Sequence, residues 1–156
     1  MIFPLLLALS LQLSPLPDSP PAIVNVPRLV QESALGKAAT AQLRTVQTEK
    51  QKAIAEKQAE VQQLSRSSAP PARVQRAQVE LQRLTQDAEA ELAALDRQLQ
   101  KEFDKKLRPV IAKIAEEEHI GIIFEYPQQL ILWSLPSIDV TAKVIARLDA
   151  ETLEKR

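Results

Sequence analysis

The single imidazole of the chain, His119, follows three consecutive carboxylates, Glu116-Glu117-Glu118. Histidine beside carboxylates can serve a metal site or acid–base catalysis, so this cluster is the first place to look for chemistry. The pattern supports neither. A zinc site takes several His, Cys or carboxylate ligands at fixed spacing, and no His-Glu-x-x-His occurs. Cysteine is absent, which removes disulfides, thiolate metal sites, a thiol nucleophile and a lipoprotein anchor together, while leaving the redox compartment open. The two glycines, Gly36 and Gly121, stand far apart, so there is no phosphate-cradling loop and no dinucleotide fingerprint. No serine lies in a Gly-x-Ser-x-Gly elbow. The remaining carboxylates fall on long charged stretches, without the enclosed pocket that acid–base catalysis requires. His119 is therefore expected to end a helix, where the dipole favours a cation, and the chain is expected to be neither an enzyme nor a cofactor carrier.

The elements that would hold any site are unusual. Aromatics make up 3% of the 156 residues, too few for an ordinary globular core. Ala, Gln, Glu, Lys, Leu and Arg crowd residues 37–118, the composition of long helices and coiled coils. Ahead of them, Ala22-Ile23-Val24-Asn25-Val26 reads as a strand. A helix is predicted from about Arg28 to Arg66, with Pro27 at its start and Gly36 as its weak point. Ser67-Ser68-Ala69-Pro70-Pro71 must turn the chain, because two prolines remove two donors and restrict the residue before them. A second helix should run from about Ala72 to His119, kinked or broken at Pro109 and closed by Gly121. Ile122 to Glu125 and Leu130 to Trp133 read as two strands of a hairpin about Tyr126-Pro127-Gln128-Gln129. A last helix follows Pro136-Ser137, capped by Asp139 or Ser137, with Val140, Val144, Ile145 and Leu148 on one face and Glu151 to Arg156 fraying. The fold class expected is α+β, predominantly α. A long antiparallel helical hairpin, each helix ~60–70 Å at 1.5 Å per residue, rises from a small β body. The body takes residues 22–36 and 115–150 and the arm residues 37–114, with its tip near 67–72.

Apolar positions of the second helix run Leu81, Leu84, Ala88, Leu92, Leu95, Leu99, Phe103, Leu107, Val110 and Ile114, nine steps of 3.67 residues. That period favours straight or slightly right-handed winding. On the first helix Leu43, Val46, Ile54, Val61 and Leu64 approximate a seam, with Lys50 and Lys57 where apolar residues belong. Such a thin, partly polar seam should be flexible. It suits either a surface coiled coil awaiting a partner or an arm that must bend. Trp133 and Tyr126 are the large polar-tipped aromatics, and Trp133 is expected in the core or a subunit interface.

Twenty basic residues balance twenty acidic ones, so bulk charge predicts neither nucleic acid nor membrane as a partner. Locally the balance fails. Arg66, Arg73, Arg76 and Arg83 face Glu80 alone over residues 61–86, a net +3, and residues 87–104 carry a net −4. A basic tip could touch acidic lipid headgroups or an acidic client, or be only a solvated surface. At the other end, Ile2 to Leu13 is an apolar run too short to span a bilayer. With the proline-rich residues that follow, it fits a secretory signal segment over residues 1–21, although no Lys or Arg precedes the run.

Three segments carry a family resemblance: Ala22-Ile23-Val24-Asn25-Val26-Pro27-Arg28-Leu29-Val30-Gln31-Glu32-Ser33, Gly121-Ile122-Ile123-Phe124-Glu125, and Ile138-Asp139-Val140-Thr141. With the order strand, helical hairpin, β-hairpin, helix, residues 22 to about 150 resemble the OmpH-like (Skp) family of periplasmic chaperones. The resemblance implies a homotrimer whose strands join in one body, with Ile23, Val24, Val26, Ile122, Phe124 and Ile131 building it. Three arms would enclose unfolded outer-membrane β-barrel proteins in the periplasm, without ATP. The chain departs from the family's strongly basic character, which sets lipopolysaccharide binding in doubt. Two other readings are a structural coiled-coil adaptor of the envelope and a cytosolic prefoldin-like holdase that keeps residues 2–13.

Overall fold

A computed structural model describes residues 19–125 and 133–153 of the chain. The β-branched run forms strand β1, Pro21–Val24. It stops two residues short of the expected Val26, because Asn25 turns away to cap a helix, its side-chain oxygen accepting the Arg28 N–H at 2.9 Å. Helix α1, Val26–Glu32, starts with Pro27 in its first turn, where the missing N–H costs nothing.

The helix expected from Arg28 to Arg66 is two helices. Ser33 takes an extended conformation (ψ 150°) between α1 and helix α2, Ala34–Arg66. Its hydroxyl accepts the Gly36 N–H at 3.0 Å, and the Asp149 carboxylate accepts the Ala34 N–H at 2.8 Å. Two of the donors orphaned at the start of α2 are thus satisfied, one of them from the far end of the sequence. Gly36 is no mere weak point. A β-carbon there would collide with the backbone carbonyl of Val30, so its absence lets α1 fold back closely on α2.

At the far end, Ser68 adopts φ 52° and the Ala69 N–H reaches back to the Leu64 carbonyl at 3.3 Å. This left-handed cap closes α2. Pro71 then opens helix α3, Pro71–Glu117, which runs on through Pro109 without a break. The packing of Leu107 and Val110 in the core, 4% and 0% exposed, holds that turn in place despite the lost hydrogen bond. Gly121 does not close α3. His119 does, at φ 54°, with its own N–H to the Glu116 carbonyl at 3.4 Å and the Ile120 N–H to the Ala115 carbonyl at 2.9 Å. These are the two bonds of a Schellman motif, with histidine where glycine is usual. Gly121 is needed for a different reason, since a β-carbon there would strike the Ser19 side chain.

Strand β2, Ile122–Glu125, lies parallel to β1, pairing Pro21 with Ile122 through to Val24 with Glu125. On the other side of β1, Asp139 forms a parallel bridge to Ile23, and the Val140 N–H donates to the Ile23 carbonyl at 3.0 Å. After a short 3-10 turn, Pro136–Ile138, helix α4 spans Thr141–Leu153. Asp139, rather than Ser137, accepts the Thr141 N–H, at 2.9 Å. As the spacing predicted, Val140, Val144 and Leu148 are buried, with Ile145 half-buried beside them. The expected strand Leu130 to Trp133 falls at residues 130–132 outside the described residues, and Trp133 itself lies in no strand. Tyr126 to Gln129 lie outside them too.

One core joins these elements. The inner face of the sheet, Ala22 and Val24, packs with Leu29 of α1, Phe103, Leu107, Val110 and Ile114 of α3, and Val144 and Leu148 of α4. The buried Thr141 hydroxyl accepts the Asn25 N–H at 2.9 Å, so the end of β1 is also hydrogen-bonded.

Both left-handed non-glycine residues should be improvable. His119→Gly and Ser68→Gly are each expected to stabilise the fold by about 1 kcal/mol, whereas Gly36→Ala should cost about 1–3 kcal/mol. Denaturant midpoints at unchanged m-value measure all three.

Candidate interaction surfaces

Alternation along the two strands divides the sheet into two faces. Ala22, Val24 and Ile123 point at the helices, and Pro21, Ile23, Ile122 and Phe124 point away. The outward set is unevenly covered. Ile23 is 5% exposed, but Ile122 is 51% and Phe124 50% exposed. Trp133, at 77%, and Leu135, at 53%, are further large apolar side chains open to solvent in the same part of the chain. Trp133 is therefore not a core residue of the single chain. Of the residues expected to build a subunit interface, Val24 is committed to the inner core, Val26 is half-buried against it, and Ile131 lies outside the described residues. Ile122 and Phe124 remain available for an external partner.

The arm is formed by α2 and α3. Every apolar position read from the period of α3 is buried or half-buried, from Leu81 to Ile114, and so are Leu43, Val46, Ile54, Val61 and Leu64 of α2. Lys50 and Lys57 do occupy the seam, with side chains only 28% and 22% exposed. Their stems lie along the apolar surface while the ammonium groups reach out, the usual solution for a long cationic side chain. Lys50 pairs with Glu91, and Lys57 pairs with Glu80 at 2.5 Å and Glu60 at 2.9 Å. Sequence reasoning located the two lysines but missed their acids, and it missed Ser33 and Asp149 at the root of the arm. A serine three residues before Gly36 was a legible capping signal; Asp149, contributed from α4, had no local sign.

Arg66, Arg73, Arg76 and Arg83 lie on exposed faces at and below the tip. They make no ion pair among the described residues, unlike the cations of the body, where Arg147 meets Glu117 at 2.7 Å and Lys143 meets Glu118 at 2.6 Å. Two carboxylates of the cluster beside His119 are thus spent on tying α4 to α3. An open groove of about 750 Å³ lies at the root of the arm, with Val30, Leu43, Leu99 and Phe103 in its floor and Asp96, Arg97 and Lys101 among its rim. Among the described residues no His, Cys, Asp and Glu cluster could hold a metal. No helix of the described residues is long and apolar enough to cross a membrane.

A small α+β body from which a long, thinly packed helical arm projects defines the class of fold. The profile of the family described as outer membrane protein (OmpH-like) matches residues 21–148, and the chain belongs to that family. Its fold is similar to the crystal structure of a candidate outer membrane chaperone (OmpH-like) from Caulobacter crescentus CB15. The TM-score is 0.51, with 18% identity over 85% of each chain. At that identity the likeness is one of fold. No curated protein matches the chain. Membership of the family supports a role of chaperone type and, with it, a place in the periplasm.

The hydrogen bond from Lys57, and secondarily its charge, holds the Glu80 carboxyl below the usual range. Lys57 is raised, first by its bond to Glu80 and then by that to Glu60. A carboxyl lowered on folding contributes above its unfolded value, about 4.3, and loses the contribution as pH falls through its folded value. A raised lysine contributes below about 10.4 and loses it as pH rises through its folded value. Thermal midpoints from ellipticity at 222 nm should therefore fall at both extremes of pH, and Lys57→Met should make both falls shallower.

Proposed function

We propose that the protein is an ATP-independent holdase of the periplasm, in which three copies join through their bodies and hold unfolded outer-membrane β-barrel proteins between their arms. The observation that carries this reading is the pair of exposed apolar side chains on β2, Ile122 and Phe124, at the root of a long arm. An isolated body leaves these side chains in water, and a core this small gains stability by burying more surface against other copies. Ile23 and Phe124 lie side by side in the register, so the outer sheet face, with Trp133 beside it in sequence, offers the apolar centre of such an interface. Val24 and Val26 support that face from the core.

In this reading residues 22–36 and 115–150 are the body, residues 37–114 an antiparallel hairpin arm, and residues 1–21 the export signal, which lies almost wholly outside the described residues. The pairing of Lys50 with Glu91 and of Lys57 with Glu80 supports the hairpin, since α2 numbers rise as α3 numbers fall. Holding a client needs no cofactor, because exposed apolar surface is shielded by contact alone. The four arginines of the tip would attract acidic stretches of a client or, more weakly, lipid headgroups.

Light scattering after size-exclusion chromatography tests the proposal. The protein should run as a trimer and take up a urea-unfolded outer-membrane β-barrel protein into a discrete soluble complex. A monomer or dimer that leaves the client to precipitate would sink the holdase reading and favour a structural adaptor of the envelope. The double variant Ile122→Asp/Phe124→Asp should fall to monomer with its helical ellipticity largely kept.

A further inference from the structure

The arm needs an alignment signal that its apolar seam does not supply. Leu81, Leu84, Ala88, Leu92, Leu95 and Leu99 succeed one another on α3 at nearly equal steps. Shifting α2 by one such step exchanges leucine for leucine everywhere but beside Ala88, so the hydrophobic pattern distinguishes the two states at that one position. The body aligns the root, through Ser33 and Gly36 on α2 and Phe103 and Leu107 on α3, all buried. Farther out, an extra or missing helical turn in one helix could displace the two against each other.

Lys50 and Lys57 lie in that outer region. With Leu43 and Leu64 they form a row of seam positions at seven-residue intervals. Both are sheltered, at 22–28% side-chain exposure against 79% for the neighbouring surface Lys52. Each ammonium meets a carboxylate of the opposite helix, Lys50 with Glu91 and Lys57 with Glu80.

Sliding the partners along the sequence of α3 shows how selective this arrangement is. Four residues toward the body, Lys57 would face Leu84 and Lys50 would face Leu95. Four toward the tip, Lys57 would face Arg76, and only Lys50 would find an acid, Asp87. A three-residue shift offers Lys57 either Arg83 or Ala77, and Lys50 either Ala94 or Ala88. Seven toward the tip brings Arg73 to Lys57 and Leu84 to Lys50; seven toward the body gives Asp87 and Gln98. Glu60, on α2 itself, stays with Lys57 in every alignment, but of all these alignments the observed one alone gives both lysines an acid of the opposite helix. Three of the misaligned ones set Lys57 against an arginine that makes no ion pair among the described residues.

We propose that the pairs Lys50–Glu91 and Lys57–Glu80 set the alignment of the arm, with Arg73, Arg76 and Arg83 as like-charge stops against slipped pairings. Polar residues in a coiled-coil seam are known to specify register at a cost in stability. Here the attractive element lies in the seam and the repulsive one on the surface beside it. The assignment accounts for an otherwise unexplained juxtaposition, two lysines in an apolar row and, on the facing helix, three arginines without an ion pair among the described residues. It concerns the arm itself and stands whatever the arm binds.

Because the chain lacks cysteine, Gln47→Cys and Gln82→Cys introduce two unique spin-label sites, both at exposed positions. They are staggered along the arm, so a slip changes their separation. The full-length labelled chain is diluted with unlabelled chain, so that pulsed electron paramagnetic resonance reads distances within one chain. The otherwise unsubstituted protein should give one narrow distance. Lys50→Leu/Lys57→Leu, which keeps the seam apolar and folded, should add a second population displaced by roughly 4–6 Å, as expected for a four-residue slip at 1.5 Å per residue. Glu80→Gln/Glu91→Gln should do the same. Lys57→Glu should shift the distance further by attracting Arg76 or Arg83, and adding Arg76→Gln/Arg83→Gln should reverse that shift. A single unchanged distance in both neutralised double variants would overturn the proposal and leave alignment to the body and the tip.

Discussion

Two short strands lying parallel, β1 beside β2, constrain everything else in this molecule. Parallel neighbours cannot be joined by a tight turn; the chain must leave one strand at its end and return to the start of the other. In most proteins a single helix of modest length makes that crossover. Here the connection comprises the short helix α1 and both long helices of the arm, α2 and α3. The arm is therefore an enlarged version of an obligatory connection, and its two roots must stand close together on one side of the sheet. Leu29, Phe103, Leu107 and Val110 pack where those roots meet, and the body core lies around them.

The polar groups at that meeting point are handled with economy. Ser33 ends α1 and begins α2, and Asp149 of α4 satisfies one more free amide at the same place. Asn25 caps α1 while its own amide is taken up by Thr141. Each of these residues binds a loop-like stretch to a different segment of the chain. The start of the arm is thereby fixed to the last helix of the sequence as firmly as to the strand before it. Ion pairs from Lys143 and Arg147 to Glu118 and Glu117 extend the same connection along the surface, where they contribute less.

Much of this was legible in the sequence, for identifiable reasons. The period of α3, the double-proline turn and the amphipathic face of α4 are local patterns, and local patterns specify helices well. The break at Ser33 carried only a weak local sign, a serine three residues before Gly36 within a stretch otherwise suited to helix. What bends the chain there is tertiary, the close passage of Val30 over Gly36 and the reach of Asp149. The closure of α3 at His119 instead of Gly121 has the same character. Glycine has the easier backbone, but burial of Ile114 and packing of Ile120 decide which residue takes the left-handed turn. The exposed face of β2 was visible only as a run of apolar residues. Alternation alone did not say that Ile123 turns inward while Ile122 and Phe124 stay outside. The family itself was legible in three short segments at the ends of the arm, where the sequence departs from generic coiled coil.

Helix α3 passes from the arm into the body as one uninterrupted rod, with Ala88 buried in the seam and Val110 at the centre of the core. Its partner α2 has no such continuity, since the chain is articulated at Ser33. Mechanically the arm is a lever with one straight leg and one leg bent at its root. A sideways load at the tip passes down α3 as a torque on Phe103, Leu107 and Val110, while the same load on α2 falls on the capped bend at Ser33 and its bond to Asp149. The two legs of the arm are thus anchored in different ways, α3 by the continuity of its own backbone into the core and α2 by the hydrogen bonds that Ser33 and Asp149 make at the bend.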